Sequence, residues 1–253
     1  MGDLSLGGDS IIVLESGLHW VYGSITTLDG DVLEKLSLKG VSFQCMRLII
    51  RTGLYEKYGE MFSADSFVFI PDDHSFAEDI TLDAATSILY GERLFVYGDM
   101  MIAHDQAQYL SGLTSLIVHG TATMPVSAAK EFMARGKAGA YVLYEGVLVT
   151  INGKDTIKHE QLQTAIEKGM SYTYMVNGVL VFDEGVKAED IDAVAAIHCN
   201  GIIYAPGSAR GLLDSKIKEM NGKVVPIEEY YQKGSADDAN KNVTTISTGT
   251  YRL

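Results

Sequence analysis

The sequence predicts an α/β repeat solenoid, in which each coil is a short strand, a turn and a short helix, and the stacked strands form a parallel sheet on one face. A phrase recurs along the chain: an apolar residue, a variable residue, Gly, and a short apolar stretch, at irregular intervals of roughly 21 to 32 residues. The chain has four prolines, and each follows the glycine position of one copy by four or five residues: Pro71, Pro125, Pro206 and Pro226. Because one copy is too small to bury its apolar face alone, the copies are expected to stack.

The glycine of each copy is expected to mark the position of a strand. We call these residues the anchor glycines: Gly40, Gly98, Gly120, Gly146, Gly178, Gly201 and Gly222. A further copy carries Ser66 in this place, and an earlier one around Gly23 is expected to open the series. Glycine suits a backbone with positive φ, or a place where successive coils approach too closely for a side chain. Three of the glycines follow Asn, and Asn-Gly is also a strong hairpin signal, so a family of β-hairpins is the alternative architecture.

Between the anchor glycines, the apolar residues change from the period of a strand to the period of a helix. The segments with this pattern are residues 126–136, 158–169, 188–196 and 208–220. Gly169 is predicted to cap the second of these helices at its C-terminal end. The longer intervals leave room for longer helices or for a hairpin loop, such as one near Gly153. These helix-like segments upstream of the glycines favour the solenoid over the hairpins.

The two ends of the chain differ from the middle. Residues 1–35 are rich in strand-forming residues, contain the single Trp, and are predicted to cap the first coil. Residues 36–230 form the predicted solenoid. Residues 231–253 are polar, and they are expected to be either a disordered tail or a terminal strand that covers an edge or pairs with another chain.

The charge and hydropathy of the chain exclude several classes of partner. The net charge of −13 argues against nucleic acid and against an anionic membrane, since both select for basic surfaces. No apolar run approaches the roughly 18 to 20 residues that a membrane-spanning helix needs. No basic residue precedes the first short apolar run, so the N-terminus does not have the pattern of a secretory signal; export remains the alternative for a chain from which a signal has been removed. Cys45 and Cys199 lie among apolar residues and are predicted to be buried, inert thiols, which fits a reduced, cytoplasmic setting.

No pattern in the sequence predicts a catalytic residue, a cofactor or a metal site. The six histidines are scattered, without the paired spacing of a zinc site on one helix face. Residues 71–75 (PDDHS) place two carboxylates and an imidazole together, but a polar turn explains them more simply. Residues 29–35 (DGDVLEK) lack the later ligands of a calcium loop and are interpreted as a turn and a helix start. Residues 204–211 (YAPGSARG) lack the spacing of a nucleophile elbow, and an anion site there is a minor alternative.

Two sets of residues are candidates for a binding surface. His104 and His119 are expected on the exposed face of the strands. Tyr141, Tyr144, Tyr172 and Tyr174 occur in clusters, and a Tyr at every second strand position would provide a large contact area with a polar tip. The alternative for these tyrosines is packing in the core of wide coils.

One copy of the repeat, LTSLIVHGTATMPVSAAKEFM, resembles a bacterial leucine-rich repeat unit. Leu113, Leu116 and Val118 fall on the L-x-x-L-x-L positions, and a turn and a short helix follow. The segment YTYMVNGVLVFDEGV is similar in a looser way. The resemblance covers residues 36–230 and implies a concave strand face that is presented to a protein partner, with no catalytic residue.

The sequence therefore favours a non-enzymatic protein-interaction or scaffold module. A carbohydrate-active or carbohydrate-binding protein on a parallel β-helix is one alternative, and it requires acidic residues that recur at one coil position. Asp99, Glu145 and Asp183 are the candidates, but they do not share a register. A self-assembling structural element is the other alternative, with homo-oligomers formed through the ends of the solenoid or the C-terminal tail.

Overall fold

The computed structural model of the chain describes residues 3–7 and 14–237, and for residues 233–237 it describes the backbone alone. The predicted α/β class is confirmed, with three parallel sheets. The strands are β1 (Leu4–Leu6), β2 (Gly17–Thr27), β3 (Val41–Arg51), β4 (Phe62–Ile70), β5 (Ser75–Ala77), β6 (Ile80–Thr81), β7 (Arg93–Val96), β8 (Met100–Met101), β9 (Ser115–Pro125), β10 (Gly136–Tyr144), β11 (Val147–Ile157), β12 (Tyr172–Phe182), β13 (Val194–Ala205) and β14 (Ile217–Pro226). The α-helices are α1 (Gly30–Leu38), α2 (Thr52–Tyr58), α3 (Thr86–Tyr90), α4 (Val126–Arg135), α5 (His159–Glu167), α6 (Gly207–Lys216) and α7 (Ile227–Asp237), and 3₁₀ segments span Gly59–Met61, Ala107–Gly112 and Ala188–Ala193.

The first sheet contains β1, β2, β3 and β4 in that order, and each neighbouring pair is parallel. The strands of the N-terminal segment predicted as a cap thus continue this sheet. The connections run through α1 between β2 and β3 and through α2 between β3 and β4. Apolar residues of the strands and of α1 form one core, in which Phe43, Leu48 and Leu33 are buried.

The second sheet has the order β5-β7-β9-β8-β6, and β10 pairs with β9. Asp79 lies between β5 and β6, and Asp99 lies between β7 and β8. At both places a carboxylate, and not a backbone carbonyl, accepts a hydrogen bond from the neighbouring strand. Asp79 accepts a hydrogen bond from the N–H of Asp99 at 2.7 Å, and Asp99 accepts one from the N–H of Thr121 at 2.7 Å. Gly120 donates its N–H to the carbonyl of Gly98 at 3.1 Å, and a Cβ atom at Gly120 would overlap that carbonyl oxygen. Two anchor glycines therefore stack on each other in this sheet.

The third sheet contains β11, β12, β13 and β14, paired in parallel and in sequence order. Four glycines lie opposite one another across it: Gly153, Gly178, Gly201 and Gly222. A Cβ atom at Gly178, Gly201 or Gly222 would overlap the carbonyl oxygen of the preceding glycine, so this column admits no side chain. The Asn-Gly pairs lie within parallel strands here, and the hairpin alternative does not apply to them.

Two of the anchor glycines lie outside these columns. Gly40 has a φ of 66° in the turn before β3, and Gly146 has a φ of 66° in the turn before β11. On β11, the place in the column belongs to Gly153, where the sequence suggested a loop. Near Gly23 the pairing of β2 with β3 shifts register, and Ser66 of β4 pairs with Arg47 of β3.

Most segments with a helical period form helices, and each proline follows or ends a strand. Gly169 has a φ of 63° directly after the C-cap of α5, as predicted. Helix α6 ends at Lys216, although its apolar period continues, because Ile217 and the residues after it pair with β13. Pro125 and Pro226 end β9 and β14, while Pro71 and Pro206 directly follow β4 and β13. Proline suits these places because it has no N–H to donate to a ladder.

The chain divides into two compact units. One unit contains the described residues up to Met101 together with Gln108–Ala122 and Lys130–Tyr141. The other contains Ile102–Ala107, Thr123–Ala129 and the described residues from Val142 onward. In the second unit, α5, α6 and the Ala188–Ala193 segment cover one face of the third sheet, and Leu162, Leu180 and Ile203 are fully buried there. Helix α7 packs on the opposite face, where Ile227 belongs to a buried apolar cluster with Val181, Tyr204 and Val225.

Candidate binding surfaces

Two of the tyrosines proposed for a binding surface belong to the core. Only 3% of Tyr144 and 2% of Tyr174 are exposed. The hydroxyl of Tyr144 donates a hydrogen bond to the carbonyl of Ile102 at 2.6 Å, and burial raises the pKa of Tyr144 to about 12. Burial also raises the pKa of Tyr174 well above its usual value. For these two residues the alternative, core packing, is correct, because their positions on β10 and β12 face the interior.

The other four candidates are accessible but dispersed. His119 is exposed on β9 and stacks on Tyr97 with ring centroids 5.4 Å apart. Tyr141 is 41% exposed, and it meets Phe132 edge-on. His104 lies in the loop after β8, and Tyr172 is half-buried on β12. The sequence alone gave no means to decide which strand positions face solvent.

A row of exposed apolar side chains on the first sheet was not singled out from the sequence. Leu18, Trp20 and Tyr22 alternate along β2, and Met46 occupies the same face of β3; their exposed fractions are 53%, 55%, 74% and 59%. We call these four residues the β2 strip. The intervening Val21 packs into the core instead. The alternation in GLHWVYG was the available signal, but it does not say which of the two faces is covered.

A hydrogen-bonded chain joins Ser115, His74 and Asp73. Nε2 of His74 lies 2.8 Å from the hydroxyl oxygen of Ser115, and Nδ1 lies 2.7 Å from a carboxylate oxygen of Asp73. His74 is 6% exposed, whereas Asp73 is on the surface and pairs with Arg93. The contact with His74, followed by the Arg93 charge, holds the pKa of Asp73 below its usual value.

This chain of contacts has the order of a catalytic triad but not its surroundings. A triad needs N–H groups aimed at the oxyanion that forms next to the serine. The N–H groups of Thr114 and Ser115 both donate to the carbonyl of Glu92 instead. The neighbouring turn is held in the same way, since Arg51 donates to the carbonyl of His74 at 2.9 Å and Asp72 accepts from the N–H of Gly53 at the start of α2. The geometry supports the interpretation of residues 71–75 as a polar turn.

The short motifs at residues 29–35 and 204–211 also have local structural roles. Asp29 caps α1, where its carboxylate accepts from the N–H groups of Asp31 and Val32. In the segment 204–211, Ser208 and Arg210 donate to the carbonyls of Val186 and Val224. Both donors already bond to backbone carbonyls, so an anion at this place would have to break these hydrogen bonds.

A shallow groove follows the Asn column on the outer face of the third sheet. Asn177 donates to Asn152 at 3.2 Å, and Asn221 donates to Asn200 at 3.0 Å. Beside this column, Nδ1 of His198 lies 3.2 Å from Glu219, and the groove has a volume of about 470 Å³. The amides bond in two pairs, each of which links two neighbouring strands, β11 to β12 and β13 to β14.

A second cavity, of about 510 Å³, lies between β11, β12 and α5. Its lining combines aromatic, apolar and acidic side chains: Val149, Asp155, Ile157, Glu160, Gln161, Thr164, Tyr172 and Tyr174. We call it the β11–α5 pocket. It includes two of the tyrosines selected from the sequence, although they line a cavity and not an outer surface.

Within the part of the chain that the structure describes, no group of three or more His, Cys, Asp or Glu residues is placed to hold a metal ion. Over the same residues, no helix combines the length and the apolar character needed to cross a membrane. Comparison with family models, curated proteins and solved structures gave no match for this chain.

Proposed function

We propose that this protein is a non-enzymatic interaction module that binds another protein through the β2 strip. The single observation that carries the proposal is the exposure of Leu18, Trp20, Tyr22 and Met46 on one face of two neighbouring strands. Trp, Tyr and Met are enriched in the centres of protein interfaces, where Trp and Tyr supply most of the binding energy. Isolated exposed apolar residues are ordinary, whereas a contiguous row is typical of an interaction site.

The charge of the chain favours a different protein over a second copy as the occupant. A net charge of −13 opposes association of two copies, and it attracts a partner with a basic surface. Carboxylates lie near the strip, since Asp3 accepts from the N–H of Ser24 on β2 and Asp65 is exposed on β4. The proposed partner therefore has an apolar centre and a basic rim.

The proposed architecture behind this surface is a strand–helix solenoid similar to leucine-rich repeats. Parallel strands in sequence order, helical connections and stacked glycines support it.

The two alternative functions, a carbohydrate-binding or carbohydrate-active protein and a self-assembling element, have less support. The stacked carboxylates of Asp79 and Asp99 accept backbone N–H groups, which leaves them less free for a carbohydrate. The edge strand β14 exposes Lys218, Glu219 and Lys223 and ends in a proline, features that discourage edge-to-edge assembly.

Trp20 provides a direct test because it is the single Trp of the chain. Proteins captured on the immobilised chain are compared with those captured on the Trp20→Ser and Leu38→Ser variants. Leu38 is a matched control, since it is 83% exposed on α1 and stands outside the strip. A partner that is lost with Trp20→Ser and kept with Leu38→Ser is then purified and added to the chain. Binding should shift the Trp20 emission to shorter wavelength, because the indole leaves water.

Two outcomes contradict the proposal. The first is equal capture by the two variants, or a purified partner that leaves the Trp20 emission unchanged. The second is a blue shift that appears on concentrating the chain alone, accompanied by faster sedimentation. That result assigns the strip to contacts between copies.

A further inference from the structure

The β11–α5 pocket lies where the third sheet ends. β11 is the edge strand of the sheet, and its inward positions are covered by α5 and not by a preceding strand. A volume of about 510 Å³ is within the range of small-molecule sites. The pocket belongs to the second compact unit alone and is independent of the β2 strip.

Asp155 occupies a position that is apolar on the neighbouring strands. In the register of the sheet it lies beside Leu180 of β12, which in turn lies beside Ile203 of β13, and both of those side chains are fully buried. Asp155 itself is exposed at this edge of the sheet, and its carboxylate, which accepts from the N–H of Thr156 at 2.8 Å, lines the pocket. Glu160 on the first turn of α5 supplies a second carboxylate to the same cavity.

The pocket has no positive charge of its own to balance these carboxylates. Neither a Lys nor an Arg is among the residues that line it. The nearest basic residue in sequence, Lys154, extends to the other face of the sheet, where its ammonium lies 4.6 Å from the ring centroid of Tyr230. Among the described residues, neither Asp155 nor Glu160 takes part in an ion pair.

The pocket also has an aromatic part to its lining. The rings of Tyr172 and Tyr174 have centroids 6.0 Å apart and are inclined by 41°. Only 2% of Tyr174 is exposed, and within the described part of the chain its hydroxyl makes no hydrogen bond to a protein group. A hydroxyl that lines a cavity and has no partner in the protein is available to a ligand.

We propose that the β11–α5 pocket binds a small organic cation that carries an alkylammonium group. The ammonium pairs with Asp155 and Glu160, and the alkyl chain lies against the rings of Tyr172 and Tyr174. Carboxylates and aromatic faces both attract such a cation, the first through charge-assisted hydrogen bonds and the second through the ring quadrupole. A free anion is disfavoured by the two carboxylates. A metal ion would find too few ligands, since the pocket offers only one carboxylate from each of two elements.

Calorimetric titration of the full chain with putrescine tests the proposal, with the neutral butanediol as a comparison ligand. Saturable binding of putrescine and none of butanediol is expected. Asp155→Asn and Glu160→Gln should each weaken the binding of putrescine by about tenfold, because each removes one charge-assisted contact. Tyr174→Phe should weaken it by a smaller factor, since it removes only the hydroxyl. Glu167→Gln is the matched control, because Glu167 is exposed on the same helix and does not line the pocket.

The ammonium group could belong to a free amine or to a lysine side chain, and Nα-acetyl-lysine amide distinguishes these sources. Binding of putrescine alone assigns the site to a free amine, whereas comparable affinity for the lysine derivative assigns it to a protein side chain. The proposal is overturned if neither cation binds saturably. It is also overturned if the affinity is the same in Asp155→Asn, Glu160→Gln and Glu167→Gln, or if butanediol binds as well as putrescine. Far-ultraviolet circular dichroism establishes that the surface variants are folded.

Discussion

At the scale of single residues, the glycine column of the third sheet shows what the sequence could and could not reveal. The Asn-Gly pairs predicted a place of close approach, and Gly178, Gly201 and Gly222 do lie opposite one another. The fourth member is Gly153, where the sequence pointed to Gly146. Lys154 and Asp155 follow Gly153, so the apolar stretch expected after an anchor glycine is missing. These positions are polar because β11 is an edge strand, and a sequence pattern does not show which strand lies at the edge of a sheet.

We expect Gly201→Ala to lower the free energy of unfolding by about 3 kcal/mol or more, because the new Cβ atom would overlap the carbonyl oxygen of Gly178 in a fixed ladder. Gly211→Ala on α6 is the control. A Cβ atom there meets no atom within 4 Å, and alanine in place of a helical glycine should stabilise by about 0.5–1 kcal/mol. Urea denaturation measures both changes. Equal stability of the two variants would mean that the column is not tightly packed.

The two cysteines are free and only 4% exposed, as their apolar neighbours predicted. Burial raises the pKa of both thiols, which reduces the fraction of reactive thiolate at neutral pH. We expect the native protein to react with a thiol reagent such as dithionitrobenzoate far more slowly than the urea-unfolded chain, in which both thiols should react at the rate of a free cysteine. Fast labelling of either thiol without denaturant would contradict their burial.

At the scale of secondary-structure elements, Asp190 connects α5 to the Ala188–Ala193 segment. It is fully buried, lies 2.7 Å from Nδ1 of His159, and accepts from the N–H of Lys187 at 2.7 Å and from the amide of Gln163. Burial alone would raise the pKa of Asp190, but the hydrogen bonds from His159, Lys187 and Gln163 outweigh it, and the pKa is lowered. The ionised carboxylate therefore stabilises the packing of the two elements.

This arrangement predicts how stability depends on pH. Because the pKa of Asp190 is lower in the folded state, its contribution is complete above the unfolded value of about 3.9 and is lost as the pH falls through the folded value. Asp190→Asn should lower the free energy of unfolding at pH 7 by about 1–3 kcal/mol, since it removes an ionised acceptor from a buried network.

The difference between Asp190→Asn and the wild type should shrink as the pH falls below about 4, where Asp190 of the unfolded chain is protonated, and should be lost once the pH passes the lower pKa of the folded state. Chemical denaturation across this pH range measures the difference. Asp192→Asn, at an exposed position in the same segment, is the control and should follow the wild type. A difference that stays constant with pH would assign the effect to packing and not to charge.

Helix boundaries illustrate the limit of periodicity at this scale. The apolar spacing of residues 208–220 is helical throughout, but the last residues of the segment join β14. Pairing with β13 satisfies the backbone N–H and C=O groups that the two strands turn toward each other. One further helical turn would leave β13 without a partner on that side. The sequence of one segment does not contain this information, because the deciding partner lies elsewhere in the chain.

At the scale of the whole molecule, the order of strands was predictable because each connection is local. Parallel neighbours in sequence order follow once the repeat is recognised, and this holds for the first and third sheets. The second sheet keeps this order as well, but its first two strands are interrupted, so that β5 and β6 pair with β7 and β8, and the residues of β7 and just after β8 bond to successive parts of β9. The interruptions fall at Asp79 and Asp99, whose carboxylates accept N–H groups from the neighbouring strand. The candidate surfaces were less predictable, because both depend on which positions other elements leave uncovered.

The excess of acidic residues, 33 Asp and Glu against 20 Lys and Arg, also acts on the molecule as a whole. Repulsion among these charges destabilises the compact state, and salt screens it. Raising sodium chloride from about 10 mM to about 150 mM at neutral pH should therefore raise the melting temperature by about 2–4 °C. Differential scanning fluorimetry measures the shift. The increase should vanish near the isoelectric point, and a fall at neutral pH would contradict the argument.

The glycine column also determines where the chain tolerates changes in length. The number of residues between successive glycines decreases from one strand to the next along β11, β12, β13 and β14, while the strands remain in register across Gly153, Gly178, Gly201 and Gly222. Differences in length are absorbed in α5, α6 and the Ala188–Ala193 segment. A residue inserted into one of these connections leaves the ladder intact, whereas a residue deleted just before an Asn-Gly pair turns every preceding side chain of that strand to the opposite face. Insertions and peptide tags are therefore best accommodated between the strands.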